Sequence, residues 1–89
     1  MDKMIIIPIN LFRLAQEIMI VDQEGTHTFA QVDLADLPEV IVSACKVHNT
    51  NQVRLIGNGN YAQALSNEIR EYAMQDYAEC ELNISILEA

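Results

Sequence analysis

Hydrophobic positions along the chain fall into short runs, several of which predict strands. Residues 4–9 form an apolar, β-branched run typical of a buried strand, with Pro8 near its end because proline cannot donate to a strand ladder. Residues 18–32 predict a β-hairpin, since Gly25 can adopt the positive φ of a tight turn between two β-forming segments. Residues 53–56 predict another short strand.

The last predicted strand has the most regular pattern in the chain. Its apolar residues alternate with polar ones, so that one face is buried and the other is wet. Glutamates on the wet face are typical of an edge strand that is protected against pairing with another chain. The alternating apolar residues are Cys80, Leu82, Ile84 and Ile86.

A first helix is predicted to begin at residues 36–39. Asp36 can accept a hydrogen bond from the amide of Glu39, the Glu39 side chain can reach back, and Pro38 suits the first turn. The helix is expected to end near residues 49–51. Its apolar stripe consists of Leu37, Val40, Ile41, Ala44 and either Val47 or His48.

A second helix is predicted from about Tyr61 to Asp76, with Asn60 and Gln63 as a capping pair at its start. Apolar residues recur along it at helical spacing, which predicts one buried face. These residues are Tyr61, Ala62, Leu65, Ile69, Tyr72 and Ala73.

Residues 10–17 allow two interpretations. Asn10 can serve as a helix N-cap, and the apolar residues after it recur at helical spacing. Those residues are Leu11, Leu14, Ala15 and Ile18. A long strand from about residue 13 to residue 21 is the alternative, because residues 18–21 are strand formers.

Together these elements predict a single α/β domain spanning residues 1–89 and built on a mixed sheet. The element order is β-β-β-α-β-α-β, and the N-terminal part becomes β-α-β-β if residues 10–17 are helical. Short connections in the second half favour right-handed parallel crossovers.

This order resembles the ribonuclease H-like fold, a superfamily that also includes actin-like ATPases and Holliday-junction resolvases. The resemblance is carried by a hydrophobic strand at residues 5–10, a strand ending in an acidic glycine turn at residues 18–25, and a strand ending in glycine at residues 53–58. It covers nearly the whole chain. It implies a nucleic-acid enzyme in which carboxylates hold two metal ions about 4 Å apart.

The carboxylates that such chemistry needs are missing at two places. The fold needs one carboxylate on the first strand, where this chain has Pro8 and Asn10. It needs another near the end of the fourth strand, where this chain has Gly57 and Asn58. An actin-like nucleotide site also needs an aspartate after the first strand. We therefore expect no catalytic residues and no metal site, and a degenerate metal-dependent enzyme is kept as an alternative.

Composition and charge narrow the classes of function. The chain has 13 acidic and 5 basic residues, for a net charge of −8, and 51% of its residues are hydrophobic. An acidic surface repels nucleic acid and anionic membranes at long range, while the high apolar content favours a protein partner. No run approaches the length of a membrane span, so a cytoplasmic protein is expected. The small size and acidity also resemble accessory proteins of bacteriophages and other mobile elements.

A loop at residues 57–60 lies between a predicted strand and a predicted helix. Its glycines let backbone amides converge, and the start of the helix adds positive potential. The loop is therefore either an anion-binding site or a plain tight turn. Its residues are Gly57, Asn58, Gly59 and Asn60.

Tyrosines and acidic residues in the second half predict a protein interface, because tyrosine provides much contact area and is frequent at binding hot spots. The acidic residues suit a basic partner. The predicted interface residues are Tyr61, Glu68, Glu71, Tyr72, Glu79 and Glu81.

The two histidines, His27 and His48, have no cysteine or second histidine at ligand spacing, so no cofactor is expected. The sequence therefore predicts a small, acidic, non-catalytic protein that regulates another protein by binding it, with a homodimer as one form. The alternatives are the degenerate ribonuclease H-like enzyme and an acidic nucleic-acid mimic that inhibits a DNA-binding protein.

Overall fold

The computed structural model describes residues 3–76 and 81–88. The predicted α/β class, the mixed sheet and the β-β-β-α-β-α-β order are confirmed. A 3-10 turn (Leu34–Asp36) precedes the first helix. The regular elements are β1 (Met4–Pro8), β2 (Ala15–Asp22), β3 (Gly25–Asp33), α1 (Leu37–Val47), β4 (Gln52–Gly57), α2 (Gly59–Asp76) and β5 (Asn83–Glu88).

The strands form one sheet in the order β3-β2-β1-β4-β5. The central strand β1 runs antiparallel to β2 and parallel to β4, and β4 runs parallel to β5. Ile6 lies opposite Met19 on one side and opposite Arg54 on the other, which defines the register across the sheet. The carboxyl ends of β1, β4 and β5 therefore meet at one end of the sheet.

One face of the sheet packs against the two helices. Successive strand residues point to opposite faces, and alternate residues of β1 and β4 are buried. Burial of each large aliphatic side chain contributes about 1.5–3 kcal/mol. The core joins the strand residues Ile5, Ile7, Ile18, Ile20, Val53 and Leu55 to the helix residues Leu37, Ile41, Val42, Leu65 and Ile69.

The predicted cap of α1 is wrong. Asp36 precedes the helix but makes no side-chain capping hydrogen bond, and its φ of −95° and ψ of −4° belong to the preceding turn. An N-cap needs an extended backbone to aim its side chain at the first amides, so Asp36 and Glu39 do not form a capping pair. The expected end of α1 is confirmed, because Asn49 adopts a φ of 51° and terminates the helix.

The two alternatives for the last position of the apolar stripe on α1 are resolved by the structure. Val47 is exposed. His48 is half-buried and packs edge-on against Phe29, with 5.3 Å between the ring centroids. His48 therefore completes the stripe.

The second helix begins at Gly59, two residues before the predicted start. Asn58 is its cap, because its Oδ1 accepts a hydrogen bond from the Tyr61 amide at 3.1 Å. The predicted pair of Asn60 and Gln63 is wrong, since Asn60 lies inside the first turn and Gln63 instead donates to Asn67. The predicted buried face is confirmed by Ala62, Leu65, Ile69 and Ala73.

Residues 10–14 are neither helix nor strand but a loop, and β2 begins at Ala15. The helical interpretation and the β-α-β-β order are wrong, because Leu11 and Leu14 are exposed while Ile18 is buried in a strand. The strand alternative is correct from Ala15 onward.

The predicted edge strand is confirmed as β5, at one margin of the sheet. Ile84 and Ile86 are half-buried, and Asn83 and Ser85 are exposed. Cys80, which the prediction also placed in this strand, lies outside the described residues. Within residues 3–76 and 81–88, neither helix has the length and apolar character needed to cross a membrane.

Candidate functional site

Residues 10–14, named the apolar loop here, connect the central strand β1 to β2. One buried side chain organises this loop. The Gln16 Nε2 atom donates to the carbonyl groups of Asn10 and Arg13, at 2.7 and 3.1 Å, and its Oε1 accepts from the Asn10 amide at 2.6 Å. Gln16 is only 1% exposed, so these bonds are shielded from competing water and give the loop a defined shape.

The loop also folds back on itself. Asn10 Oδ1 accepts a hydrogen bond from the Phe12 amide at 3.0 Å, and the Asn10 carbonyl accepts one from the Arg13 amide at 3.1 Å. Asparagine favours such turns because its side chain bonds the backbone two residues later. The turn leaves Leu11, Phe12 and Leu14 in solvent, with Phe12 at 101% and Leu14 at 91% exposure.

A cleft of about 560 Å³ lies beside the apolar loop. Its walls come from the loop, from Pro8 at the end of β1 and Ile9 after it, and from Gly57 and Asn58 at the end of β4. Gly57 has a φ of +153°, and a Cβ placed on it would lie 3.2 Å from Ile9 Cβ. Glycine therefore allows both this backbone conformation and the close approach of β4 to the segment that leaves β1.

The four residues of the predicted anion site divide between the cleft and the helix. Gly57 and Asn58 line the cleft, whereas Gly59 and Asn60 belong to the first turn of α2. The Glu88 carboxylate lies against Gly59, where a Cβ would overlap its Oε1 atom. The start of a helix attracts negative charge, so a carboxylate of the chain itself stands beside the predicted site. Anion binding at residues 57–60 stays a prediction.

Three of the predicted interface residues meet in a shallow depression on the helix layer. Glu68, Glu71 and Tyr72 line it together with Glu39, and its volume is about 310 Å³. The described residues that line this depression include three carboxylates and no cation, which gives it a negative potential.

The other predicted interface residues lie elsewhere. Tyr61 is half-buried, and burial, with a smaller contribution from the charge of Glu68, raises the pKa of its phenol. Glu81 is exposed near the start of β5, where its carbonyl accepts a hydrogen bond from Asn51 Nδ2 at 3.2 Å. Glu79 lies outside the described residues.

The histidines and the cysteine of the described residues lie apart from the cleft. His27 Nε2 is 3.5 Å from Asp22 Oδ1 at the hairpin turn, and Cys45 is buried in α1. In the part of the chain that the structure describes, no three histidine, cysteine or acidic side chains converge as metal ligands. Among the residues lining the cleft, the ionisable ones are Arg13 and Glu17. The arrangement suits contact with an apolar group more than proton transfer.

The sequence interpretation missed the apolar loop as a candidate site. Its helical alternative for residues 10–17 placed Leu11 and Leu14 on an apolar stripe, although both are exposed. A usable signal was present, since Asn10 and Gln16 bracket the hydrophobic run and both side chains can bond a turning backbone.

No protein-family model and no curated protein matches the chain. Among solved structures, the chain is similar to Dom34 of S. cerevisiae, a translation termination-like factor involved in RNA quality control pathways and interacting with Hbs1. The TM-score is 0.57 at 16% sequence identity, and the match covers 94% of this chain and 29% of the Dom34 chain. Similarity at this level of identity shows a shared fold alone.

Proposed function

We propose that this protein is a non-catalytic regulatory protein that inserts its apolar loop into a pocket of another protein. The observation that carries the proposal is the exposure of Leu11, Phe12 and Leu14 on a loop fixed by the buried Gln16. A cluster of large apolar side chains in solvent marks a binding surface more often than a defect of folding.

The energetics favour Phe12 as the centre of the contact. Burying a phenylalanine or leucine side chain contributes about 1.5–3 kcal/mol, and the three apolar side chains are adjacent or nearly so. The backbone of the loop is already held, because the Asn10 and Phe12 amides donate to the side chains of Gln16 and Asn10, and Gln16 donates to the Arg13 carbonyl. Binding therefore orders the loop little further. A preformed loop therefore keeps more of its contact energy as affinity.

The acidic depression supports a basic surface on the partner. Glu39, Glu68 and Glu71 share one depression, and complementary charge accelerates association and aligns two proteins before they make contact. In this arrangement the apolar loop supplies affinity, and the acids of the helix layer supply orientation.

A second candidate function is mimicry of nucleic acid by the same acids. The grouping of three carboxylates in the depression favours it. It predicts binding to a basic protein that weakens steeply with salt and is lost in the Glu68→Gln and Glu71→Gln double variant. Binding that survives this double variant but is lost with Phe12→Ser would select the apolar loop instead.

The proposed relation to ribonuclease H-like proteins concerns architecture and not chemistry. β1 ends at Pro8 and leads to Asn10, and β4 ends at Gly57 followed by Asn58. Neither strand end places a carboxylate where the fold's metal chemistry needs one, which supports a binding role for this chain.

Affinity capture with matched variants tests the proposed function. Phe12→Ser should remove the protein partners that the unaltered chain retains. Met74→Ser is the matched control, because Met74 is also a large exposed apolar residue but lies on α2. The proposal fails if both variants retain the same partners as the unaltered chain.

A further inference from the structure

The face of the sheet opposite the helices, named the open face here, is a second apolar surface. Its side chains alternate with those of the core and point away from α1 and α2. They are not among the partly buried residues that pack against the core cluster. The apolar residues of the open face are Met4, Ile6, Pro8, Met19, Val21, Ile56 and Leu87.

Such a surface is unusual for this kind of sheet. The strands β1, β4 and β5 are parallel to one another, and parallel strands are almost always covered on both faces. Ile6, Ile56 and Leu87 lie across these three strands on the open face. Among the residues that the structure describes, both helices lie on the other face, so the open face is suited to a partner.

Charge on the open face differs from that of the molecule. Within the strands, its charged residues are Glu17, Asp33 and Arg54, which gives a net charge of −1 against −8 for the chain. Low charge is characteristic of the centres of protein interfaces. Two copies can therefore bring their open faces together while the acids of the helix layers remain outside.

We propose that the open face binds a second copy of this chain, so that two sheets pack face to face as a symmetric dimer. A two-fold axis parallel to β1 places β2 of one copy opposite β4 of the other. Glu17 on β2 then approaches Arg54 on β4 of the second copy. Along the strand direction the two residues differ by two positions, about 6.6 Å, a gap that an arginine side chain can span.

The area of the open face is sufficient for a specific dimer. The five strands contain 5, 8, 9, 6 and 6 residues. At about 3.3 Å per residue and about 4.8 Å between strands, they cover about 540 Å² per copy, or about 1,080 Å² for the pair. Specific interfaces bury about 1,000 Å² or more in total. The Cα dimensions of 31 × 31 × 20 Å fit a two-layer molecule whose broad side is this sheet.

Light scattering during size-exclusion chromatography tests the dimer directly. At micromolar concentrations the purified chain should have twice its single-chain mass of 10.0 kDa. Glu17→Arg and Arg54→Glu should each raise the dissociation constant at least tenfold, because each places like charges opposite one another. The double variant should restore the dimer.

The matched control is Glu39→Arg, a charge reversal on the helix layer that should leave the dimer intact. Circular dichroism confirms that each variant is folded. A monomer at every concentration overturns the proposal, and so does a double variant that dissociates as readily as the single ones. Phe12 lies outside the strands that form the open face, so Phe12→Ser should lower partner capture without changing the mass. If the chain is monomeric and Phe12→Ser still abolishes partner capture, the dimer is overturned and the proposed function of the apolar loop is retained.

Discussion

Gln16 is the residue on which the shape of the apolar loop depends. Its side chain is the buried partner of three hydrogen bonds to loop backbone. A buried polar side chain near the start of β2 is tolerated because each of its polar atoms has a hydrogen-bond partner. The loop can therefore present apolar groups to solvent without collapsing onto the core.

Replacing the Gln16 side chain should show how much its hydrogen bonds to the loop stabilise the protein. Gln16→Leu keeps the volume but removes three hydrogen bonds, each worth about 0.5–1.5 kcal/mol, so the free energy of unfolding should fall by about 1.5–4.5 kcal/mol. For a domain of this size the melting temperature should fall by about 6 °C or more. Gln63→Leu, at an exposed site on α2, is the control and should change it by no more than about 2 °C. Equal melting temperatures for the two variants would show that Gln16 does not stabilise the loop.

Glycine at the end of β4 is required for two separable reasons. Gly57 combines a positive φ with the contact to Ile9, whereas Gly25 has a φ of +123° with no atom within 4 Å of its Cβ position. Gly25→Ala should cost about 1 kcal/mol from backbone strain, and Gly57→Ala about 2–3 kcal/mol because of the added contact. Denaturant unfolding measures both losses. Equal losses would contradict the close approach of β4 to Ile9.

At the scale of elements, the strands were the most predictable part of the chain. Alternating burial along β4, and hydrophobic–polar alternation in β5, follow from the period of a strand, and that period is visible in the sequence. The helix caps were not predictable, because a shift of two residues at the start of α2 exchanges Asn60 for Asn58. Both asparagines have the chemistry of a cap, so only packing decides between them.

The candidate site was less predictable than the fold. Leu11 and Leu14 have the spacing of a buried helix stripe, yet both are exposed. Their exposure depends on hydrogen bonds from Gln16 to the Asn10 and Arg13 carbonyl groups, and these bonds form only when the loop has folded back toward β2. The grouping of Glu68, Glu71 and Tyr72 was predictable from helix spacing, but the addition of Glu39 required the packing of α1 beside α2. Contacts between distant segments are the part that a local pattern does not contain.

The turn of the β2–β3 hairpin contains a carboxylate that links its stability to pH. The Glu24 amide, which donates to Asp22 Oδ1 at 2.8 Å, lowers the pKa of this carboxyl; burial opposes the shift, and the nearby His27 adds to it. A lowered pKa stabilises the fold above the usual aspartate value of 3.8, and this stabilisation is lost as the pH falls through the folded-state pKa.

Asp22→Asn should therefore reduce the loss of stability below about pH 4. Melting temperature against pH measures the effect, and an NMR titration of the Asp22 carboxyl gives its midpoint directly. Asp36→Asn is the control, because Asp36 makes no capping hydrogen bond. A midpoint for Asp22 at or above the usual value would contradict the role assigned to the Glu24 amide.

At the scale of the whole molecule, the helix layer and the open sheet face differ in charge and polarity. Acids gather on the helix layer, whereas the open face is apolar and nearly neutral. The apolar loop extends from the carboxyl end of the central strand, where the cleft also opens. A molecule with this division of charge is suited to bind other proteins through its surface.

Divalent metal ions provide a test of the alternative enzymatic function. Within residues 3–76 and 81–88 no group of ligands converges on one point, so millimolar Mg²⁺ or Mn²⁺ should leave the melting temperature unchanged. Thermal unfolding with the metal and with an equal concentration of chelator measures this. A rise of several degrees with metal would indicate a carboxylate site and would favour the degenerate enzyme.

Photo-crosslinking from position 12 tests the central claim most directly. In cells, a photoreactive phenylalanine analogue at Phe12 should form one or a few discrete covalent adducts with a partner protein, because this fully exposed ring is the proposed contact. The same analogue at Met74, exposed on α2, should give none of these adducts. Identical adducts from both positions, or no adduct from position 12, would contradict binding through the apolar loop.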